Sequence, residues 1–406
     1  MTARLILIPD IAAAKAELAA IGSDPTGIEI MAPKAVSLVF KVKGLKPTAA
    51  NIIKQEMLSF GAEAATAYGS IDHSVKTTDL LLFGTHRQLR QLIAKLKAHQ
   101  FGLPQLALEL ETALQNYFGA PAPLRLGEGQ WTFGQRTYIM GVVNVTPDSF
   151  SDGGQCLDRE AAVARAKQLI ADGADIIDVG GESTRPGAKP LPVKQEIDRV
   201  VPVIEQLGQE TAVPVSIDTT KAEVAEAAVA AGAVMINDIS GLHFDSRLAA
   251  VAAKSGTALC LMHIKGRPGD MQQDPRYTDL ISEIIEYLSE GLAIGKKAGI
   301  LHEKILIDPG IGFGKTVAHN LEILRRLREL KVLGRPILIG TSRKSLIGAV
   351  LDLPVKDRLE GTAATVALAV NNGADIIRVH DVKEMARVAR MSDAIVRQQE
   401  DQLRRI

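Results

Sequence analysis

Eight short apolar runs, each followed by a helix-like segment, recur from residue 137 towards the carboxyl end of the chain. The runs are YIMGVVN, ADIIDVG, VPVSID, AVMIND, TALCLMH, KILID, RPILIGTS and ADIIRVH. Strands that alternate with helices predict a parallel sheet. Eight such units in about 270 residues predict an α/β protein with a (β/α)₈ TIM barrel, which usually needs about 250 residues. A doubly wound open sheet is the alternative, but it usually has fewer strands.

The ends of these eight runs carry side chains that can bind a ligand. They are Asn144, Asp178, Asp218, Asn237, Met262 with His263, Asp308, Ser342 with Lys344, and Arg378 with His380. A single residue of this kind at a strand end is most often a helix cap or a turn residue. In a barrel, however, the carboxyl ends of the strands meet at the rim where active sites lie. The whole set therefore predicts one shared site.

The residues at this rim are of two chemical kinds. Asp218, Asn237 and Asp308 can read the N–H and C=O edge of a flat heterocycle. The cationic residues, which suit a phosphate or diphosphate, are Arg185, Arg343, Lys344, Arg378 and His380. The combination predicts a ligand that joins a polar heterocycle to a diphosphate.

The stretch ILIDPGIGFGKTVAHN (residues 305–320) is similar to a phosphate-binding loop of nucleotide hydrolases. Gly310 and Gly314 enclose only three residues, however, which is one fewer than that motif requires. Because the stretch follows the sixth of eight runs, Asp308 is the residue expected to face the ligand, and Lys315 is given no role. A nucleotide hydrolase is the weakest alternative, since it would need an open sheet.

Composition excludes several classes of partner. Lys plus Arg and Asp plus Glu both number 47, so no overall field attracts nucleic acid or anionic lipid. No uncharged apolar run is long enough to span a membrane, and the first 20 residues do not form a signal peptide. Two distant cysteines, Cys156 and Cys260, indicate reduced thiols. We expect a cytoplasmic protein without a nucleic-acid or membrane partner.

The residues before the barrel have a different pattern. Strand-like stretches at 35–45 and 77–84 are each followed by a helix-like pattern. Apolar residues then alternate around GEGQ, which predicts a β-hairpin after a linker rich in Gly and Pro. The predicted division is a small α/β domain at 1–120, whose sequence indicates no function, a linker and hairpin at 121–136, and a catalytic barrel at 137–406.

Eight sequence blocks resemble those of dihydropteroate synthases and occur in that family's order across residues 137–396. The blocks are MGVVNVTPDSFSDGG, IIDVGGESTRPGA, SIDTTK, INDISG, LMHIKG, IDPGIGFGK, GTSRKS and RVHD. The resemblance implies a transferase of folate biosynthesis, the target of sulfonamides. It would condense 6-hydroxymethyl-7,8-dihydropterin diphosphate with p-aminobenzoate to give 7,8-dihydropteroate and diphosphate. The resemblance also implies Mg²⁺ as a cofactor and a homodimer as the assembly.

The resemblance further implies a role for individual residues, and the sequence departs from the family's pattern at none of them. The pterin would be bound by Asp178, Asp218, Asn237, Met262, Asp308 and Lys344, of which Asp218, Asp308 and Lys344 would serve the chemical step. The diphosphate would be bound by Asn144, Arg185, Arg343, Arg378 and His380, with Asn144 meeting the Mg²⁺. The p-aminobenzoate side would be formed by Thr184, Pro186, Phe313 and Ser345.

Two other functions stay open at this point. A methyltetrahydrofolate–corrinoid methyltransferase shares the deep pterin pocket, but it has no diphosphate for the cationic residues to bind. A non-catalytic pterin-binding protein would keep the barrel, but its loops would be expected to have decayed.

Overall fold

The computed structural model describes residues 2–127, 129–145, 155–185 and 187–397, and for residues 155–158 it describes the backbone alone. The chain forms two compact units, residues 1–118 and residues 119–406. Among the described residues, no helix is both long enough and apolar enough to cross a bilayer.

The first unit is an α/β domain with a three-stranded antiparallel sheet in the order β1-β3-β2. Its elements are α1 (Ile11–Ala20), α2 (Pro25–Ala35), β1 (Ser37–Leu45), α3 (Pro47–Ser59), β2 (Glu63–Thr66), β3 (Thr78–Thr85), α4 (His86–Leu96) and α5 (Leu103–Phe118). Leu80 and Leu82 of β3 are buried, whereas Leu81 and Phe83 are exposed. This alternation follows from the two-residue repeat of a strand, and the buried face packs against Ile53 and the two last helices.

The second unit contains an eight-stranded parallel sheet in the order β11-β10-β9-β8-β7-β6-β13-β12. Its strands are β6 (Tyr138–Asn144), β7 (Ile176–Gly180), β8 (Val215–Asp218), β9 (Met235–Asp238), β10 (Ala258–Met262), β11 (Ile305–Asp308), β12 (Leu338–Ile339) and β13 (Ile376–Val379). A parallel bridge between Ile307 and Ile337 joins the two edges of the sheet. The predicted (β/α)₈ barrel is therefore confirmed, and each strand lies in the run that predicted it.

Helices cover the outside of this barrel. They are α6 (Gln155–Ala171), α7 (Val193–Glu210), α8 (Ala222–Ala230), α9 (Leu248–Ser255), α10 (Leu280–Ala298), α11 (Val317–Arg326), α12 (Ser345–Leu351), α13 (Leu359–Asn371) and α14 (Val382–Val396). Two of them end at glycines in the left-handed region, Gly256 with φ 65° and Gly299 with φ 92°. Glycine is favoured there because it has no Cβ to collide with the preceding turn. The chain can therefore leave each helix and enter the next strand within a few residues.

A two-stranded hairpin, β4 (Leu124–Leu126) paired with β5 (Gly129–Trp131), lies against the amino-terminal ends of the barrel strands. Trp131 stacks on Tyr138, the first residue of β6, with ring centroids 4.1 Å apart and planes 2° from parallel. Leu124 and Leu126 join the same apolar cluster, which includes Met235 and other residues from the beginnings of the strands. The hairpin thus covers the end of the barrel opposite to the rim.

Candidate active site

Four residues from neighbouring strands form a hydrogen-bonded floor inside the rim. Arg378 of β13 donates from Nε to Oδ2 of Asp178 at 2.6 Å and from Nη2 to Oδ2 of Asp218 at 2.8 Å. Asn237 of β9 donates from Nδ2 to the same Asp178 oxygen at 3.0 Å. Residues 160 and 200 positions apart in the chain are thereby brought into one network, as the convergence of parallel strands requires.

The floor keeps acceptor capacity for a ligand. The Asp178 side chain is fully buried, and its Oδ1 atom has no hydrogen-bond partner among the described residues. A buried acceptor without a partner is costly and marks a position where a donor from a ligand is favoured. Burial raises the pKa of Asp218 to about 7, although the charge of Arg378 acts in the opposite direction. The floor is therefore suited to N–H donors rather than to a second anion.

Asp308 lies at the end of β11 and is 5% exposed. Its Oδ1 accepts a hydrogen bond from the backbone N–H of Gly310 at 2.6 Å, which folds the glycine-rich loop back over the strand end. Burial raises the pKa of Asp308, whereas the charge of Lys344 lowers it. The carboxylate is held in one orientation, and its second oxygen is not part of this turn.

Lys344 crosses from the loop after β12 to the glycine-rich loop. Its Nζ donates to the carbonyl oxygen of Ile311 and lies 4.5 Å from the ring centroid of Phe313. A Cβ on Gly312, whose φ is +82°, would come within 3.3 Å of Lys344 Cδ, so glycine lets the loop wrap closely around this side chain. Burial lowers the pKa of Lys344 to about 8, although Asp308 favours the charged form.

Two of the residues expected to be cationic, Arg343 and His380, contact different partners at the rim. Arg343, with φ 58°, forms an ion pair with Asp381, in which its Nε donates to Oδ2 at 2.9 Å. His380 has its Nδ1 atom 3.1 Å from the Ser342 hydroxyl. Burial, together with the charge of Arg378, lowers the pKa of His380 to about 4. His380 is therefore a neutral hydrogen-bonding group at neutral pH rather than the cation expected from the sequence.

The other residues expected at the site lie at or near the rim. Met262, at the end of β10, is buried against Ile239, with Phe313 beside them. Asn144 is half-buried at the end of β6, Thr184 is half-buried and Arg185 is exposed in the loop after β7, and Ser345 is exposed at the start of α12. Pro186 and the stretch TPDSFSDGG (residues 146–154) lie outside the described residues.

Lys315, which is not among the residues expected at the site, is 2% exposed. Its Nζ is 2.7 Å from Nδ1 of His263 and 2.9 Å from the carbonyl oxygen of Phe313. Burial, reinforced by the charge of Lys315, lowers the pKa of His263 to about 2, so the imidazole is a neutral acceptor. The pair joins the loop after β10 to the loop after β11. Its members are 52 positions apart, and no local pattern in the sequence predicts their contact.

Comparisons with known proteins show the family of this chain. The family described as pterin binding enzyme matches residues 140–380, more than half of the chain. A dihydropteroate synthase from Synechocystis sp. is 49% identical over 285 residues, which cover 70% of this chain and 98% of that protein. The chain belongs to the dihydropteroate synthase family. It is a transferase that condenses 6-hydroxymethyl-7,8-dihydropterin diphosphate with p-aminobenzoate, giving 7,8-dihydropteroate and diphosphate in folate biosynthesis.

Two further members of the dihydropteroate synthase family extend the comparison. The solved structure of the Xanthomonas albilineans enzyme with 4-aminobenzoic acid is 44% identical, covers 68% of this chain and 98% of that chain, and has a TM-score of 0.64. A probable bifunctional folylpolyglutamate synthase/dihydropteroate synthase from Halobacterium salinarum is 41% identical over 370 residues. That match covers 91% of this chain and 44% of that protein, so it extends into the first unit.

Proposed function

We propose that the acidic floor and Lys344 bind the pterin ring, that the arginines of the rim, with Asn144 and His380, bind the diphosphate, and that p-aminobenzoate enters between the loops after β7 and β11. The observation that carries this proposal is the network of Arg378 with Asp178 and Asp218, at 2.6 and 2.8 Å. It joins the group of residues suited to a heterocycle to the group suited to an anion. A ligand that has both parts can use both groups at once.

The pterin subsite uses the acceptors of the floor. Asp178, Asp218 and Asp308 accept N–H donors of the pyrimidine ring, and Asn237 adds an amide that can both donate and accept. Lys344 donates to an oxygen or nitrogen acceptor at the opposite side of the ring, and Met262 packs against its face. Each hydrogen bond between the pterin and a charged side chain contributes about 1.5–3 kcal/mol when water is excluded.

The diphosphate subsite uses Asn144, Arg185, Arg343, Arg378 and His380. Arg378 keeps two of its nitrogens on the floor, and the Nη1 nitrogen belongs to neither of those bonds. Arg343 exchanges its partner Asp381 for a phosphate oxygen. The neutral His380 contributes a hydrogen bond rather than a full charge. Arginine suits this role because its fork of donors matches two phosphate oxygens.

A magnesium ion fits this site as a partner of the substrate. Among the described residues, no group of three or more His, Cys, Asp or Glu side chains could hold a metal ion on its own. Asn144 offers one hard oxygen ligand at the end of β6, and Mg²⁺ commonly takes its other ligands from phosphate groups and water. When bound, the ion supplies neutralisation of the charge on the departing diphosphate.

The p-aminobenzoate subsite is formed by Thr184, Pro186, Phe313 and Ser345. The Phe313 ring lies beside Lys344, so an aromatic amine seated there would approach the pterin from the rim side. Thr184 and Ser345 offer hydroxyl groups at the rim for the carboxylate. The second substrate is thus held nearer to the solvent than the first.

The chemical step is a displacement at the CH₂–O carbon of the pterin. The amine nitrogen of p-aminobenzoate forms the new C–N bond, the C–O bond breaks with its electron pair leaving on diphosphate, and the amine then loses a proton. Asp218 and Asp308 offset positive charge that develops on the pterin as the C–O bond lengthens. An aromatic amine is nucleophilic without a strong base, so no side chain is assigned that role.

One assay tests this proposal against its alternatives. Diphosphate release from 6-hydroxymethyl-7,8-dihydropterin diphosphate should require p-aminobenzoate, and one dihydropteroate should form for each diphosphate released. Release at the same rate without p-aminobenzoate would indicate a hydrolase and overturn the proposal. Tight pterin binding without any turnover would favour the non-catalytic alternative.

The pKa values at the floor give an expected pH profile. The pKa of Asp218 is raised to about 7 and that of Lys344 is lowered to about 8. Above 7 the carboxylate can accept the pterin N–H, and above 8 the ammonium loses the proton that it donates. The ratio kcat/KM for the pterin diphosphate should therefore be bell-shaped, with its maximum between these values. Lys344→Arg keeps a positive charge at alkaline pH, so this variant should be slower, but its kcat/KM should no longer fall above pH 8. A fall at the same pH as in the parent would contradict the assignment of the alkaline limb to Lys344.

We also infer that the barrel unit forms a homodimer through its last helices. Leu368 of α13 and Met391 and Ile395 of α14 are more than half exposed, and such apolar groups mark association surfaces. The double change Leu368→Asp and Met391→Asp should give monomers by light scattering. Leu301→Asp, an equally exposed apolar position before β11, should leave the mass unchanged, and equal masses for all three proteins would contradict this surface.

We assign the reaction to residues 137–406 and no step of it to residues 1–120. We place the protein in the cytoplasm, because Cys260 is a buried free thiol and cysteines remain reduced in that compartment.

A further inference from the structure

The loop after β7, residues 181–192, carries Thr184 and Arg185, which are proposed to bind p-aminobenzoate and diphosphate. It begins after Gly180 and ends at Pro192, the residue that precedes α7. The described residues between these two elements form no helix or strand. The position of the loop relative to the floor therefore depends on what holds its two ends.

Lys221 contacts both ends of this loop. Its Nζ lies 3.0 Å from Oε2 of Glu182, near the start of the loop, and 2.7 Å from the carbonyl oxygen of Leu191, near the end of the loop. The third acceptor is Oε2 of Glu196 on α7, at 2.5 Å. An ammonium group has three N–H donors, and all three have a partner here. Glu182 closes the loop further, because its Oε1 accepts the N–H of Leu191 at 2.6 Å.

The cluster of Glu182, Glu196 and Lys221 is centred on a buried carboxylate, unlike a surface ion pair. The Glu196 side chain is fully buried, and those of Lys221 and Glu182 are each 20% exposed. Glu196 accepts the Thr219 hydroxyl at 2.7 Å through its other oxygen. Burial raises the pKa of Glu196 against the effect of Lys221. Losing one member would leave a buried charge without its partner, which is far more costly than breaking an exposed pair.

The first residue of the loop is fixed by close packing as well. Arg199 of α7 donates from Nη1 to the carbonyl oxygen of Gly181 at 2.9 Å. A Cβ on Gly181 would lie 2.8 Å from Cγ1 of Val200, so only glycine fits between the strand and this helix. The start of the loop is thus held by α7, and its finish is held by Lys221.

The anchor is joined directly to the pterin floor. β8 ends at Asp218, and the next residues supply Thr219 and Lys221 to the cluster. One short segment therefore carries both an acceptor for the pterin and the side chain that holds the loop for the second substrate. The same loop also reaches across the rim, where the N–H of Gly187 donates to the carbonyl oxygen of Pro268 at 3.2 Å.

We propose that Lys221 is a positioning residue, which acts through Glu182 and Leu191 to hold Thr184 and Arg185 over the floor for p-aminobenzoate and diphosphate. This inference rests on the proposed function, since it concerns the placement of residues assigned there. Lys221 itself touches neither substrate. Its removal should therefore weaken the second substrate's binding far more than that of the pterin.

The experiment compares Lys221→Met with Lys221→Arg and with Arg397→Met in the full chain. Arg397 forms a similarly buried ion pair with Asp393, but it also bonds the carbonyl oxygen of Ala374, just before β13, at the other end of the barrel. Steady-state kinetics would give KM for p-aminobenzoate and kcat, and calorimetry would give the affinity for 6-hydroxymethylpterin. A urea titration of each variant would report stability.

For Lys221→Met, KM for p-aminobenzoate should rise at least tenfold, while pterin affinity should stay within about threefold of the parent. Lys221→Arg should recover part of that loss, and Arg397→Met should lose stability without a change in KM. An unchanged KM in Lys221→Met, with a loss of stability like that of Arg397→Met, would make the cluster purely structural and overturn the inference.

If Lys221→Met does not fold, a second variant tests the same inference. Glu182→Gln, which keeps the bond to Leu191, should raise KM for p-aminobenzoate several-fold, and the absence of a rise would again overturn the inference. Absence of p-aminobenzoate-dependent turnover in the parent would instead overturn the proposed function, together with this inference.

Discussion

Asp308→Asn should lower kcat/KM for the pterin diphosphate by about 10²–10³-fold, which corresponds to about 3–4 kcal/mol of transition-state stabilisation. Asparagine keeps an oxygen that can accept the N–H of Gly310, so the turn after β11 should persist. It loses the negative charge that is proposed to offset a positive pterin, and the atom that replaces the second carboxylate oxygen is an amide nitrogen, which donates rather than accepts. Kinetics and pterin calorimetry on the same preparation would separate the effect on the chemical step from the effect on binding.

Asp352→Asn is the matched control for this change. Asp352 is exposed and has a φ of 54°, a left-handed conformation that asparagine also tolerates. The control should keep both pterin affinity and turnover. If Asp308→Asn kept kcat/KM within about threefold of the parent, Asp308 would not have the role assigned to it.

Arg378→Met should damage both folding and activity. Asp178 is fully buried and would lose the guanidinium that bonds it at 2.6 Å, leaving only Asn237 as its described partner. Leaving a buried charge unpaired costs about 3–5 kcal/mol in the free energy of unfolding. Activity should fall by about 10³-fold, since arginine clamps on a departing phosphate group contribute this much in related chemistry.

The pH dependence of this loss has a definite sign. Asp218 already has a raised pKa of about 7 in the folded protein, and removal of Arg378 raises it further. A carboxyl whose folded pKa is raised contributes stability at low pH, and that contribution is lost as pH rises through the folded value. Urea titrations should therefore show a larger deficit for Arg378→Met at alkaline than at acidic pH. Arg247→Met, which removes an exposed pair with Glu223 and Asp245, should change the stability little at either pH, because exposed ion pairs contribute little. If the loss of stability in Arg378→Met were no larger than that in Arg247→Met, or if it shrank as pH rises, the contacts of Arg378 with Asp178 and Asp218 would not have the role given to them here.

The barrel could be predicted from the sequence because its signal is local and repeated. Each apolar run lies in one strand, and each strand ends close to a residue that the pattern had singled out, from Asn144 on β6 to Arg378 on β13. The meeting of Asp178, Asp218, Asn237 and Arg378 follows from the topology alone. The glycine-rich stretch is likewise a barrel loop between β11 and α11, as its place in the order of strands predicts in spite of its spacing.

The contacts between loops could not be predicted in the same way. Lys221 reaches Glu182 and Glu196 over 39 and 25 positions, and Lys315 reaches His263 over 52. These pairs depend on how each loop folds back over the rim, which no periodic pattern encodes. The charge of His380 is a similar case, because burial lowers its pKa to about 4, and burial at a rim is a property of the packed molecule.

The hairpin of β4 and β5 has a consequence for the order of events. Trp131 and its neighbours fill the amino-terminal end of the barrel, so in the part of the chain that is described the floor is approached from the rim. If p-aminobenzoate binds nearer to the rim than the pterin, as proposed above, the pterin must arrive first, because the later substrate occupies the path that the earlier one takes. A molecule bound under the loops delays the departure of whatever lies beneath it, and p-aminobenzoate should slow the dissociation of a bound pterin.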